Sequence, residues 1–230
     1  MYLLTAAAAW ADFESASETF KSGDYEAAFK EFLELAGNGH TLGQFNVGTM
    51  YEQGLGVEQN ETLAANWYRR AAEKGNADAQ NSLGGLLRAG AGVPQGYGEA
   101  AEWFAKAAIQ GHAIGQKNYG DMHRKGQGVE KDRKEAAKWY RKAAGQKLAL
   151  AQNKLGTLYR QGKGVPQRYK IALSWYKRAA RQNHGLAQKN LGDMYRKGYG
   201  AAKSYKKALK YYRDSVDQGE PWGQLALGRM

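Results

Sequence analysis

The sequence predicts an all-α fold, a right-handed α/α superhelical solenoid built from 36-residue two-helix repeats. Three observations carry this. Trp67, Trp103, Trp139 and Trp175 fall 36 residues apart with Tyr211 in the next slot, and so do Gly48, Gly84, Gly120, Gly156, Gly192 and Gly228, and Gln44, Gln80, Gln116, Gln152, Gln188 and Gln224. A segment of that size cannot bury its own apolar face, so the period implies stacked neighbours. Within each period the apolar residues recur at three and four positions, and no segment sustains strand-like alternation. Glycine-rich stretches punctuate the pattern where a helix must stop.

Taken in order, residues 1–11 read MYLLTAAAAWA. This opening is expected to be either a signal-peptide remnant or an apolar N-terminal cap, because Ala9-Trp10-Ala11 fits a small-x-small cleavage site while a basic leader is missing. The expected location is therefore exported, in a bacterial periplasm or secreted, with the cytoplasm as the alternative. Residues 12–40 read as a divergent opening helix pair, and five repeats follow at 41–76, 77–112, 113–148, 149–184 and 185–220, with a C-terminal half-repeat at 221–230. In the second repeat, Ala79, Leu83, Leu86 and Leu87 define helix A, which Gly90 closes as a left-handed cap. Gly90-Ala91-Gly92-Val93-Pro94 makes the turn, since these residues permit positive φ or fix it. Helix B starts at Tyr97, carries Ala100, Ala101, Trp103, Phe104, Ala107 and Ala108 on one face, and ends at Gly111.

Small and bulky slots alternate. Alanine at 64, 100, 136, 172 and 208 lets helices approach, and the aromatic slot at Phe32, Tyr68, Phe104, Tyr140, Tyr176 and Tyr212 fills the space between layers. Gly84 and its equivalents sit inside helix A, where glycine costs about 1 kcal/mol relative to alanine. A close approach of the helix B aromatic from the same or the next repeat is the simplest reason. Lys147 and Asn183 stand where other repeats have Gly39, Gly75, Gly111 and Gly219. Those two helix ends are expected to close differently, because lysine adopts the left-handed region poorly.

The pattern A-x-A-Q-x-x-L-G-x-x-Y-x-x-G-x-G-V-x-Q followed by A-x-x-W-Y-x-x-A-A, seen in AQNKLGTLYRQGKGVPQ (151–167) and ALSWYKRAA (172–180), resembles the Sel-1-like repeat, a relative of the tetratricopeptide repeat. The resemblance covers residues 41–230. It implies a protein-interaction scaffold or adaptor that grips a partner on the concave face lined by the A helices, in quality control, envelope biogenesis or host contact. Many relatives carry a cysteine pair in each repeat, and some cysteine-rich members are linked to β-lactam binding or hydrolysis. This chain has no cysteine, so that activity is not carried over.

The absence of cysteine also excludes disulfides, thiolate metal sites and thiol nucleophiles. No stretch reaches the roughly 18 apolar residues of a membrane span. His40, His112 and His184 lie 72 residues apart, too far across stacked helices to share a metal, and read as turn residues. His123 occupies the slot of the recurring helix A tyrosine and reads as packing. None of the G-x-G turns has the phosphate-loop pattern or follows a strand. Asp121 and Asp193 share one slot 72 residues apart and form no acid–base pair. No metal, cofactor or catalytic residue is expected, and a hydrolase is the least favoured class.

Charge is strongly asymmetric. The net charge is +12, yet residues 1–98 hold 6 Lys/Arg against 12 Asp/Glu while residues 99–230 hold 28 against 10. A basic half suits an acidic partner. The solvent-facing helix A slots give Arg88, Arg124, Arg160 and Arg196, followed by Lys125 and Lys197, with Asn81, Lys117, Asn153 and Lys189 two turns earlier on the same face. Arginine pairs bidentately with carboxylates and asparagine bonds extended backbone, so the expected ligand is an acidic or extended polypeptide in a basic concave groove. The alternative is a polyanion, either an anionic glycan or nucleic acid. Nucleic acid is disfavoured because, apart from Phe45 and Trp222, these slots hold no aromatic to stack bases. The charge asymmetry also admits a salt-sensitive head-to-tail self-association.

Overall fold

The computed structural model describes residues 6–230, with side chains from residue 10 onward. The first part of the apolar opening segment thus lies outside the described residues. The described residues form thirteen helices and no strand: α1 (Ala6–Ser22), α2 (Tyr25–Gly37), α3 (Thr41–Gln53), α4 (Glu61–Glu73), α5 (Ala77–Ala89), α6 (Tyr97–Ile109), α7 (Ala113–Lys125), α8 (Arg133–Gly145), α9 (Ala149–Gln161), α10 (Tyr169–Ala180), α11 (Gly185–Lys197), α12 (Tyr205–Asp217) and α13 (Pro221–Gly228). The chain divides into two compact bodies, Met1–Gln110 and Gly111–Met230. In the first, α1 to α6 pack each on the next; in the second, α7 to α13 do the same, and α13 also touches α11. This is an all-α repeat solenoid.

The helix boundaries follow from local chemistry. Each of α3, α5, α7, α9 and α11 ends at a left-handed glycine: Gly54, Gly90, Gly126, Gly162 and Gly198. The glutamine that closes the G-x-G-V-x-Q pattern then satisfies an orphan carbonyl of the helix just ended: Gln59, Gln95 and Gln167 donate to the carbonyls of Glu52, Arg88 and Arg160 at 2.9, 3.0 and 2.9 Å. The second turn glycine is required by contact as well as by its positive φ, since a Cβ on Gly92 would collide with the backbone of Glu61 and Thr62.

Inside helix A the recurring glycine faces the helix B aromatic of its own repeat. A Cβ on Gly84, Gly120 or Gly156 would lie 2.9, 2.8 or 2.9 Å from the rings of Phe104, Tyr140 or Tyr176. These rings, like those of Phe32, Tyr68 and Tyr212, are buried, and so is the alanine slot of Ala64, Ala100, Ala136, Ala172 and Ala208. The recurring glutamine joins three elements. Gln80 donates to the Ala72 carbonyl of α4 at 3.1 Å and accepts from Gln110, at the end of α6, at 2.8 Å. Gln152 repeats this with Ala144 at 3.2 Å and Gln182 at 2.9 Å. A buried amide is thus satisfied while stitching each repeat to the one before it.

Two local expectations are corrected. Lys147 and Asn183 do not close their helices differently: they adopt φ of 67° and 56°, the same left-handed region as Gly39, Gly75, Gly111 and Gly219. The geometry of the repeat overrides the residue. The spaced histidines are more than turn residues, because His40, His112 and His184 are N-caps whose Nδ1 accepts from the backbone N–H of Gly43, Gly115 and Ala187 at 3.1, 2.9 and 3.2 Å. Asn76 caps α5 in the same way, while Leu148 leaves α9 without a side-chain cap.

These features have measurable consequences. Lys147→Gly is expected to raise the urea midpoint, with a gain of about 1 kcal/mol after the extra freedom of glycine in the unfolded chain is subtracted. A lowered midpoint would contradict the assignment of that cap. Burial pushes the imidazoles of His40 and His184 below the usual histidine value, and Lys74 adds to this at His40. Protonation removes the capping lone pair. Since the folded value lies below the unfolded one, the contribution is complete above about pH 6.5 and is lost as pH falls through the folded values. Urea unfolding at pH 7 and pH 5 is expected to show a smaller acid loss for His40→Asn/His184→Asn, because asparagine caps without titrating. Equal losses would exclude the caps as its source.

Candidate functional site

The helix A face is organised by the hydroxyls of the helix B tyrosines. Each ring passes the recurring glycine and brings its hydroxyl up between two helix A slots. Tyr140 donates to Asp121 Oδ1 at 2.5 Å and accepts from Arg124 Nε at 3.3 Å. Tyr212 donates to Asp193 Oδ1 at 2.7 Å and accepts from Arg196 Nε at 3.2 Å. Tyr176 meets Thr157 Oγ1 at 3.0 Å and accepts from Arg160 Nε at 3.3 Å. Burial pushes the Tyr140 and Tyr176 hydroxyls up and that of Tyr212 up to about 12, so all three stay protonated. Each tyrosine engages its arginine through Nε, leaving the Nη pair to approach a carboxylate side-on.

Repeats one and two depart from this. Glu52 occupies the arginine slot of the first repeat and accepts from Tyr68 at 2.5 Å. In the second, Phe104 has no hydroxyl and Arg88 lies over its ring with the guanidinium carbon 5.4 Å from the centroid.

The other candidate residues are placed as follows. Asn81 is half-buried on α5. Lys117 is half-buried on α7, donates to Asn118 at 2.7 Å and pairs with Asp121 at 3.5 Å. Asn153 is only 5% exposed, and its side-chain oxygen accepts from Asn190 at 2.9 Å. Lys189 donates to Asp193 at 2.8 Å. Lys125 and Lys197 are exposed, and Lys197 lies 5.7 Å from the Tyr199 ring. The unforeseen element is the carboxylate one turn from each lysine: Asp121 and Asp193 neutralise part of the face that the arginines were expected to charge. Burial opposes ionisation of Asp121, but Lys154 at 3.1 Å, the Tyr140 hydroxyl and Lys117 outweigh it and hold the carboxyl below its usual range. His123, expected to pack, lies 4.7 Å from the Tyr119 ring.

Three of the candidates come together in the second body. Arg124, Lys125 and Asn153 line a 520 Å³ cavity with Lys131, Arg133, Lys154 and Lys163, and no carboxylate lines it. The added cations come from the α7–α8 and α9–α10 turns, the start of α8 and the exposed side of α9. Their signal was present in the sequence as a local break in the period. Where this cavity has Lys125, Lys131, Arg133, Lys154 and Lys163, the preceding repeat has Ala89, Gln95, Tyr97, Asn118 and Gln127, and the following one has Gln161, Gln167, Tyr169, Asn190 and Tyr199. Only Arg124 belongs to the repeat itself. Lys189 and Arg196 line a separate 290 Å³ cavity with Trp222 and Leu225.

An all-α array of paired helices bearing open, charged clefts defines a repeat solenoid of the interaction-scaffold type. The chain belongs to the Sel1 repeat family, which matches residues 41–76, 77–112, 113–147, 149–184 and 185–220. It is similar to a solved Sel1 repeat protein from Oxalobacter formigenes, with 34% identity over 94% of this chain and 86% of that one and a TM-score of 0.89. It is also similar to c5321, a protective antigen of uropathogenic Escherichia coli, with 35% identity, 96% of this chain covered and a TM-score of 0.88. The chain spans 48% of that antigen. A curated rat protein, DAP3-binding cell death enhancer 1, is 39% identical over 56 residues, which are 24% of this chain and 11% of the rat protein. Sel1 repeat proteins are generally protein–protein interaction scaffolds. Among the described residues no helix is long and apolar enough to cross a membrane, and no three His, Cys, Asp or Glu side chains gather to hold a metal ion.

Asp121→Asn is expected to cost about 2 kcal/mol at neutral pH, the value of charge-assisted bonds lost by a buried carboxylate. Denaturant unfolding measures this, and an unchanged midpoint would show that the surrounding cations need no partner. The depressed value sets the pH window: this contribution is present above about pH 4 and disappears as pH falls through the folded value.

Proposed function

We propose that the chain is a scaffold that holds an acidic, extended stretch of a partner polypeptide on its helix A face, with the 520 Å³ cavity of the third and fourth repeats as the main seat. The supporting observation is the convergence there of six cations with no lining carboxylate. Like charges so placed repel one another, and an anionic ligand relieves that repulsion. Arg124, held from below by Tyr140, offers a carboxylate two parallel bonds, and the exposed lysines supply the surrounding field. Arg160 and Arg196, held in the same way, extend the row along the face toward the cleft at Trp222.

The test is Lys125→Glu/Lys131→Glu/Lys163→Glu, three exposed positions whose reversal leaves the packed core untouched. A fluorescent decaglutamate peptide is expected to bind the wild type in a salt-dependent manner and the variant at least tenfold more weakly, with helical circular dichroism unchanged. Equal affinity for the variant would reject the site. Equal competition by single-stranded DNA of the same charge would reject a polypeptide-selective groove in favour of a general polyanion surface.

A further inference from the structure

The fifth repeat lacks three contacts that its predecessors share. In the first four, a tryptophan on helix B is covered by a cation three residues later: Arg70 over Trp67, Lys106 over Trp103, Lys142 over Trp139 and Arg178 over Trp175, at 4.4, 3.8, 4.0 and 4.5 Å. The fifth has Tyr211 and Asp214 in those slots. The third contact is the glutamine pair. It is closed at Gln80–Gln110, Gln116–Gln146 and Gln152–Gln182, at 2.8, 2.9 and 2.9 Å. In the first repeat Lys74 replaces the second glutamine, and Gln44 Oε1 is left without a donor. In the fifth both glutamines are present, yet Gln188, 4% exposed, accepts no hydrogen bond at Oε1.

A 720 Å³ cavity lies at this place among α10, α11 and α12, and both Gln188 and Gln218 line it. This volume is within the range of small-ligand pockets. One wall is flat, with the rings of Tyr195 and Tyr211 parallel within 4° at 5.7 Å. Lys207 and Lys177 stand 5.3 and 6.0 Å from the Tyr195 ring. Lys210 is bound to Asp214 at 2.9 Å, whereas the lining cations Lys177, Arg181 and Lys207 make no ion pair among the described residues. Asp217 is the remaining acid of the lining.

We propose that this cavity takes an indole ring with a carboxylate nearby, supplying from outside what the other repeats supply from within. The ring N–H donates to Gln188 Oε1, a buried acceptor that is costly to leave empty. The ring face lies on the tyrosine wall beneath the lysines, where an aromatic ring beside a cation gains roughly 0.5–2 kcal/mol. The carboxylate meets Lys177, Arg181 or Lys207 at the rim. Two sources share this chemistry: a free indole acid, and a tryptophan beside an acidic residue in a partner polypeptide. The site is independent of the basic cavity at Arg124.

The probe is N-acetyltryptophan, titrated into 15N-labelled full-length protein while the Gln188 side-chain amide is followed by NMR. Saturable shifts are expected, with at least fivefold weaker binding for the 1-methyl analogue, which lacks the ring N–H, and for the amide, which lacks the carboxylate. Tyr211→Trp/Asp214→Arg restores the pair found in the other four repeats, so it is expected to fold and to abolish the shifts. Persistent binding by that variant, or equal binding of the 1-methyl analogue, would overturn the proposal. A blocked Gly-Glu-Trp-Glu-Gly peptide binding more tightly than N-acetyltryptophan assigns the site to a polypeptide, and weaker binding assigns it to a free indole acid.

Discussion

The contact on which the rest of the structure depends is the one between a helix A glycine and the helix B aromatic of the same repeat. With a Cβ at Gly156 the Tyr176 ring would be met at 2.9 Å, so the ring fixes how closely the two helices approach. Everything outward of the ring is set by that spacing. The hydroxyl emerges at a fixed height on the helix A face, and the arginine three residues beyond the Thr or Asp slot is bound to it. A packing constraint of the core thereby becomes a positional constraint on the surface cation. The helix-propensity cost of the glycine, about 1 kcal/mol, is the cost of that arrangement.

The same geometry explains why arginine and not lysine stands in this slot in four of five repeats. Only a guanidinium has one nitrogen to give to the tyrosine and a separate pair to present outward. Lysines occupy the neighbouring slots, where they meet Asp121 and Asp193 or remain in water. The face is therefore a set of anchored arginines within a partly neutralised field, and its unbalanced charge is concentrated at one cavity.

Much of this was legible in the sequence, because a fixed period turns one inference into five. The helix boundaries, the buried alanine and aromatic slots and the reason for the mid-helix glycine all follow from positions that recur. What the period could not show is what breaks it. Lys154 reaches Asp121 across 33 positions of sequence, a distance set by the offset between neighbouring repeats and not by either helix alone. The cations of the basic cavity come from turns as well as helices, and only the folded chain brings Lys131 and Lys163 to the side of Arg124. Lys147 was misjudged for a related reason: a local preference of about 1–2 kcal/mol yields when both flanking helices are already fixed by their neighbours.

The glutamine stitch has a mechanical side. Gln152 holds the Ala144 carbonyl of one repeat and Gln182 of its own, so the bonds between layers lie in series along the stack. Tension applied at the ends loads these rungs one after another. Each rung that yields frees a repeat of 36 residues, about 120 Å of extended chain. Such a stack lengthens in uniform steps and behaves as an extensible tether, holding its remaining layers intact while a bound partner is pulled.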